Sequence, residues 1–201
     1  MSILCVIPLK AFEAAKGRLG AVLSPDSRAR LVEATAARVI GSCRAAGFEA
    51  LVVSSDPGVC RWAAGLGVET AAEQPGSGLD GAAAAGAARA LDAGHAYAVV
   101  HGDLPIVRET DLAEALGRLR PGGAVIAPSR DGGTNLLAAG TPLAFAYGPG
   151  SFRRHLSAAA ALRPEVVVRP GLTLDLDTAA DLACAARLPG GAWLTEFLPG
   201  P

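Results

Sequence analysis

The chain has 201 residues, a formal net charge of −1 and 51% hydrophobic residues. This length favours one domain, residues 1–201, with a full core of its own. No apolar run reaches the ~20 residues of a membrane helix. The N-terminus lacks a basic stretch and a cleavage site, which argues against secretion, and the near-neutral charge without a basic tract argues against nucleic acid; a cytoplasmic protein is expected.

Ile3–Pro8 is a short apolar run of the kind buried on both faces of a parallel sheet. A polar segment follows from Lys10 to Gly20. Ser24-Pro25-Asp26 opens a helix that runs to about Ala46 and stops at Gly47: a cap, a preset φ and an acid at the positive end of the dipole. Leu51–Ser54 reads as a strand, Pro57–Leu66 as a short helix and Val68–Ala72 as a weaker strand. A glycine-rich loop, Gly76–Gly81, leads into an Ala-rich helix over Leu79–Ala93. Tyr97–Val100 is a strand ending in Gly102-Asp103-Leu104-Pro105, and Thr110 caps a helix to about Leu119. Ala124–Ala127 and Asn135–Ala139 are strands with little helix around them, which suggests a local antiparallel part. Ser151 opens a helix to Leu162, Val166–Val168 and Leu174–Leu176 are strands, and Thr178 starts the last clear helix. The tail after Pro189 reads as a loop packed by Trp193 and Phe197. Alternating strands and helices imply a layered α/β fold on a mostly parallel sheet, with ligands at the C-terminal strand ends. That places Lys10, Asp56, Asp103, Asp175 and Asp177 where chemistry is to be sought.

The 43 alanines read as compositional bias rather than a fold signal. The lysines carry more. There are only two against 16 arginines, and both, Lys10 and Lys16, follow the first strand. An ammonium and a guanidinium are not interchangeable at a phosphate. With Arg18 they put three cations in nine residues, a loop able to wrap a triphosphate, or else a solvated surface loop. The four cysteines are scattered and histidines number three, so a zinc site is not expected.

Gly76-Ser77-Gly78-Leu79-Asp80-Gly81 matches the dinucleotide fingerprint on paper. It follows the third strand rather than the first, with Glu73-Gln74-Pro75 in between, so a backbone approach to a base or ribose fits better than a redox cofactor. Asp103, Asp175 and Asp177 each follow or interrupt an apolar stretch. Residues two apart on an extended chain point the same way, and carboxylates without histidine suit Mg²⁺. The alternatives are a helix cap at Asp177-Thr178 and a turn at Asp103. Asp131-Gly-Gly-Thr134-Asn135 and Gly148-Pro149-Gly150-Ser151 are candidate anion-binding turns, with Arg153 and His155 nearby as helpful cations; two ordinary turns and an N-cap are the plain reading.

Taken in order, Pro-Leu-Lys…Ala-Lys-Gly-Arg-Leu, Gly-Leu-Asp-Gly-Ala, Gly-Asp-Leu-Pro, Asp-Gly-Gly-Thr-Asn, Tyr-Gly-Pro-Gly-Ser-Phe and Leu-Asp-Leu-Asp-Thr resemble one family from residue 3 to about 188. It is the 2-phospho-L-lactate or phosphoenolpyruvate guanylyltransferase family of coenzyme F-420 biosynthesis. The resemblance implies a three-layer nucleotide-diphospho-sugar transferase fold. It implies Mg²⁺-dependent transfer of GMP from GTP to a small phosphorylated three-carbon acid, with release of pyrophosphate. By motif, Asp103, Asp175 and Asp177 would hold the metal, and together with Lys16 would be catalytic. Lys10, Lys16, Arg18 and Asp80 would meet the nucleotide, and Thr134, Gly148 and Ser151 the acceptor. No nucleic-acid or membrane partner is implied, and a homodimer is left open. Two positions depart from the family: Asp80 stands where Asn is usual, which removes an amide donor and adds charge, and Gly17 where Ser is usual. The Arg- and Ala-rich composition hints at a GC-rich genome, and by association within the family it resembles, the implied acceptor leans toward phosphoenolpyruvate. The rival readings are a related nucleotidyltransferase using another nucleotide or a molybdopterin or sugar phosphate, a non-catalytic nucleotide-binding module, and, more distantly, a dinucleotide oxidoreductase.

Overall fold

A computed structural model describes residues 2–14, 16–74 and 76–198; Met1, Ala15 in the first motif, Pro75 before the glycine loop and tail residues 199–201 lie outside them. Seven strands form one sheet: β1 Ile3–Pro8, β2 Glu49–Val53, β3 Glu69–Ala71, β4 Ala96–Val100, β5 Ala124–Pro128, β6 Thr134–Ala139 and β7 Glu165–Val166, in the order β3-β2-β1-β4-β6-β5-β7. β6 alone runs antiparallel, pairing with both β4 and β5, and every other pairing is parallel. The expected α/β fold with a mostly parallel sheet and a small antiparallel part is what forms.

The helices are α1 Pro25–Ala45, α2 Pro57–Gly65, α3 Gly78–Asp92, α4 Glu109–Leu116, α5 Ser151–Ala158, the single turn α6 Pro170–Thr173, and α7 Ala179–Ala186. The central strands are apolar on both sides, and the period of two sorts them into two cores. Cys5, Ile7, Val52, Ala98 and Val100 pack with Val39 and Ile40 of α1, Val59 of α2 and Leu112 of α4. Leu4, Val6, Val53, Tyr97 and Val99 pack with Ala82, Ala83, Ala87 and Ala90 of α3. A third, smaller cluster lies outside the sheet and joins Leu19, Leu31, Leu174, Leu176, Leu182, Leu194 and Phe197.

Local chemistry accounts for most boundaries. The Ser24 hydroxyl accepts the Ser27 N–H at 3.2 Å and Pro25 opens α1, and Asp56 does the same for α2 at Val59, so the strand-end Asp56 is a helix cap. Four expectations are corrected. Leu174–Leu176 is extended but joins no strand. Its Leu176 N–H bonds the Asp103 carbonyl at 3.1 Å, because the chain there crosses the end of β4 rather than running beside it. Val168 lies beyond β7, which ends at Val166. Helix α4 starts before Thr110, its first turn closed by the Asp111 carboxylate on the Arg108 N–H at 3.2 Å. The tail is not a bare loop: Ala192–Phe197 is a 3-10 helix, held by Trp193 Nε1–H on the Pro105 carbonyl at 3.1 Å.

Candidate active site

The loops after β1 and β4 and the Leu174–Thr178 segment meet at the C-terminal end of the sheet. They border a cleft of about 450 Å³ whose lining includes Lys10, Lys16, Arg18, His101, Asp103 and Asp177. Alternation builds the acidic side. Leu174 and Leu176 are buried in the third core cluster, so Asp175 and Asp177 project the other way, toward Asp103. One carboxylate oxygen from each of the three lies within 4.8 Å of the others. The helix-cap alternative is taken up next door: Thr178 Oγ1 accepts the Asp181 N–H at 3.2 Å, and the Asp181 carboxylate accepts the Thr178 N–H at 2.8 Å. Asp177 is thereby left to the cleft.

Lys16 reaches into this acidic group. Its Nζ donates to Asp103 Oδ2 and to Asp177 Oδ1, both at 2.5 Å, from a side chain only 12% exposed. Burial alone would lower the Lys16 pKa, but the two carboxylates outweigh it and hold the ammonium above its usual range. Burial likewise opposes ionisation of Asp103, yet Lys16 and His101 keep its carboxyl below the ordinary value. Asp175 makes no ion pair among the described residues, and the charge of Lys16 offsets only part of what opposes its ionisation. Burial, then the charges of Asp103 and Asp177, push it up to about 6. With all three ionised, one ammonium leaves two negative charges uncompensated, and Asp103 Oδ1 is buried without a hydrogen-bond partner. An oxygen-only, doubly negative donor set with an unused buried oxygen fits a hard divalent cation.

A second polar group lies where β6 begins and α5 begins. Thr134 and Ser151, the first residues of these elements, are each 1% exposed, and their hydroxyl oxygens are 3.3 Å apart. His155, one turn into α5, places Nδ1 2.9 Å from Thr134 Oγ1 and accepts the Ala146 N–H on Nε2 at 3.0 Å. Gly148 and Gly150 take left-handed backbone, φ 102° and 73°, which only glycine adopts without strain. The Arg154 guanidinium fastens this loop by donating to the carbonyls of Ala146, Tyr147, Gly148 and Pro149.

Tyr147 ties the two groups together. Its ring lies 5.1 Å from that of His101 and 4.7 Å from that of His155.

The sequence-derived residues therefore fall into two sets. Lys10, Lys16, Arg18, Asp103 and Asp177 share the cleft, with Asp175 beside the other carboxylates. Thr134 and Ser151 touch each other, with Gly148 in the adjoining loop. Asp80 joins neither directly; its carboxylate accepts the Tyr147 N–H at 2.7 Å and so helps shape the Gly148 loop. Asp131 holds its own turn, accepting from the Ser129 hydroxyl and from the Gly133 N–H. His155 is not the cation expected from sequence. It is 1% exposed, and burial, helped by the charges of Arg154 and His101, outweighs the opposing charge of Asp80 and brings its pKa down to about 4. Arg153 faces solvent. His101, Tyr147 and Arg154 were not legible as site residues. Only the place of His101 and Tyr147 beside motif glycines marks them in the sequence.

Comparison with known proteins gives the arrangement a family. A model described as "Guanylyl transferase CofC like" matches residues 3–190. The chain is 42% identical to the phosphoenolpyruvate guanylyltransferase of Rubrobacter xylanophilus, over 91% of this chain and 93% of that protein. It is 40% identical to the 3-phospho-D-glycerate guanylyltransferase of Phenylobacterium zucineum, over 92% and 89%. It is 30% identical to the 2-phospho-L-lactate guanylyltransferase of Methanothermobacter thermautotrophicus, over 98% and 90%. In fold it resembles a protein of Desulfovibrio desulfuricans described as a nucleotide-diphospho-sugar transferase, with a TM-score of 0.76 at 20% identity, covering 98% of this chain and 95% of that one. The chain belongs to the CofC-like guanylyl transferase family, and it is a nucleotidyltransferase enzyme.

Proposed function

We propose that this enzyme transfers GMP from GTP to a small phosphorylated three-carbon acid, phosphoenolpyruvate foremost, and releases pyrophosphate in the making of coenzyme F-420. Residues 1–201 act as one nucleotidyltransferase domain in the cytoplasm. The observation that carries this reading is the convergence of Asp103, Asp175 and Asp177 with Lys16 at one end of the sheet. Asp103, Asp175 and Asp177 hold Mg²⁺, which supplies charge neutralisation for the phosphates. Lys10, Lys16 and Arg18 bind the triphosphate, and Thr134, Ser151 and the Gly148 backbone bind the acceptor. Asp80, assigned to the nucleotide by motif, bonds here to the Tyr147 N–H and so bears on the loop of Gly148.

The reaction needs little more than positioning. An oxygen of the acceptor's phosphate attacks the α-phosphorus of GTP. The new P–O bond forms as the bond from α-phosphorus to the α–β bridging oxygen breaks, and pyrophosphate leaves with that electron pair. The attacking oxygen is already ionised, so no side chain has to remove a proton, and in-line placement with charge compensation is the catalytic task. The buried neutral His155 suits such a reaction, as does a cleft in which the described residues form no nucleophile–base pair. Among the relatives, the acid named varies between phosphoenolpyruvate, 2-phospho-L-lactate and 3-phospho-D-glycerate, and the first recurs, in the relative at 42% identity and in five others at 35–37%.

The test is pyrophosphate release from GTP and Mg²⁺ with each of the three acids, repeated with ATP, CTP and UTP. The expected result is turnover with GTP and phosphoenolpyruvate at the highest kcat/KM. No pyrophosphate with any acid would overturn the proposal, and preference for another nucleotide would overturn its guanine part.

A further inference from the structure

We propose that His155 is a positioning residue that fixes the direction of the hydroxyl protons in the acceptor subsite, so that the subsite presents a donor to an anion. This rests on the assignment of Thr134 and Ser151 to the acceptor. The argument starts from a group whose role has no alternative. A backbone N–H only donates, so the Ala146 N–H at 3.0 Å occupies the lone pair of His155 Nε2. A neutral imidazole with Nε2 accepting carries its proton on Nδ1. That Nδ1–H points at Thr134 Oγ1, 2.9 Å away, and Thr134 receives a hydrogen bond.

The chain then runs one way. Thr134 Oγ1 and Ser151 Oγ share a further bond at 3.3 Å. If Thr134 donates to Ser151, the Ser151 proton is left over. If Ser151 donates to Thr134, the Thr134 proton is left over. Either way the series from Ala146 through His155 ends in one hydroxyl proton beyond what its own acceptors take up. A phosphate or carboxylate is an acceptor only, and this is the polarity it needs. Were the tautomer reversed, Nε2–H would face the Ala146 N–H and Nδ1 would take the Thr134 proton, leaving the subsite an acceptor set against an anion.

The surroundings keep the ring neutral and fixed. His155 is 1% exposed, the Tyr147 ring packs edge-on at 4.7 Å, and Phe145 lies at 6.5 Å. Arg154 holds the Ala146 carbonyl on the far side of the same peptide segment, so the loop that supplies the Ala146 N–H is itself anchored. Both ring nitrogens of His155 are engaged, Nε2 by the Ala146 N–H and Nδ1 by Thr134 Oγ1, so it acts through Thr134 rather than by touching substrate.

Two isosteric substitutions separate its two nitrogens. Asn places an amide N–H near the position of Nδ1; Gln places an amide oxygen near that of Nε2 but no donor at Nδ1. The expected result is that His155→Gln raises the KM for phosphoenolpyruvate at least tenfold with the KM for GTP within twofold of wild type, that His155→Asn recovers most of the loss, and that His155→Gln adds nothing in a Thr134→Val background. Equal effects of Asn and Gln, matching increases in both KM values, or additivity with Thr134→Val would overturn the proposal. A substrate-independent measurement stands beside it: the ¹⁵N imidazole shifts of the wild-type protein at pH 7, with His155 assigned by difference from His155→Asn. Protonation on Nδ1 alone is expected. An Nε2–H ring or an imidazolium would overturn the proposal whatever the acceptor is, whereas wild-type protein without turnover and with an Nδ1–H ring would count against the acceptor assignment only.

Discussion

Lys16 combines two costs that an ordinary surface lysine avoids. Its backbone is left-handed, φ 56°, which costs a non-glycine residue of order 1–3 kcal/mol and is typical of functional sites. Its ammonium is mostly buried between Asp103 and Asp177. If it serves the triphosphate, Lys16→Met lowers kcat by about 10²–10³-fold, the loss seen when one preorganised charge donor is removed, and Lys16→Arg does not restore it because the planar fork cannot place one donor between two carboxylates. Removing the ammonium also frees two carboxylates, so Mn²⁺ should bind Lys16→Met without nucleotide on the order of tenfold more tightly, a titration that electron paramagnetic resonance can follow. Weaker Mn²⁺ binding would show that Lys16 and the metal do not share these oxygens. His155 gives the pH dependence. Its folded-state pKa of about 4 lies below the unfolded value near 6.5. The stability it contributes is present above pH 6.5 and is lost as pH falls toward 4, up to about 3 kcal/mol. Denaturant unfolding between pH 4 and 7 should therefore slope more gently in His155→Asn than in wild type. At this scale the sequence was legible where scarcity or spacing set a residue apart, as for the two lysines and for Asp175-x-Asp177. It was misleading about His155, read there as a cation, because whether a histidine is a cation or a buried neutral donor depends on Ala146 and Tyr147, whose contacts are tertiary.

Helix α3 shows how an element can use a residue that composition dismisses. Ala82, Ala83, Gly86, Ala87 and Ala90 form its buried face, and at Gly86 the helix comes so close to β1 that an added Cβ would lie 2.1 Å from Val6 Cγ1. The alanine excess is thus in part a packing device: small side chains let α3 settle on the sheet, and the β-branched strand residues fill the space between. Gly86→Ala is expected to lower stability by about 1–3 kcal/mol through overpacking, against the propensity gain of up to ~1 kcal/mol that Ala brings to a helix. It should leave the KM for GTP unchanged, and thermal unfolding with steady-state kinetics checks both. A more stable variant would mean that the helix shifts freely on the sheet. Element existence was readable from caps and periodicity, as in Ser24-Pro25 for α1. The Leu174–Leu176 segment was misread because alternating apolar residues look the same whether a chain pairs in a sheet or packs one side onto a separate core. Only the missing neighbour strand distinguishes them, and that is a property of topology. The glycine fingerprint failed for a related reason: β3 is an edge strand, so the loop after it cannot form the central crevice that a dinucleotide occupies.

Three cores share the work of the whole molecule unequally. The two sheet-facing cores hold the fold, while the third holds the site: Leu19 anchors the loop of Lys16 and Arg18, Leu174 and Leu176 anchor the acidic segment, and Phe197 of the C-terminal 3-10 helix belongs to the same cluster. This cluster has no strand behind it, so its opening need not wait for the sheet to unfold, and regions of this kind open at lower free energy than the core strands. Phe197 is 5% exposed. Phe197→Ala should cost about 3–5 kcal/mol within that cluster, and the loss should appear first as activity, with kcat falling on warming well below the temperature at which circular dichroism records global melting. Gly86→Ala, placed in a sheet-facing core, should lose activity and ellipticity together. Hydrogen exchange at the Leu19 and Leu176 amides, each bonded to a backbone carbonyl, locates the difference: faster exchange in Phe197→Ala with β1 and β4 still protected is expected. Coincident loss of activity and ellipticity in both variants would mean that the third cluster is continuous with the main cores and that the site has no independent stability.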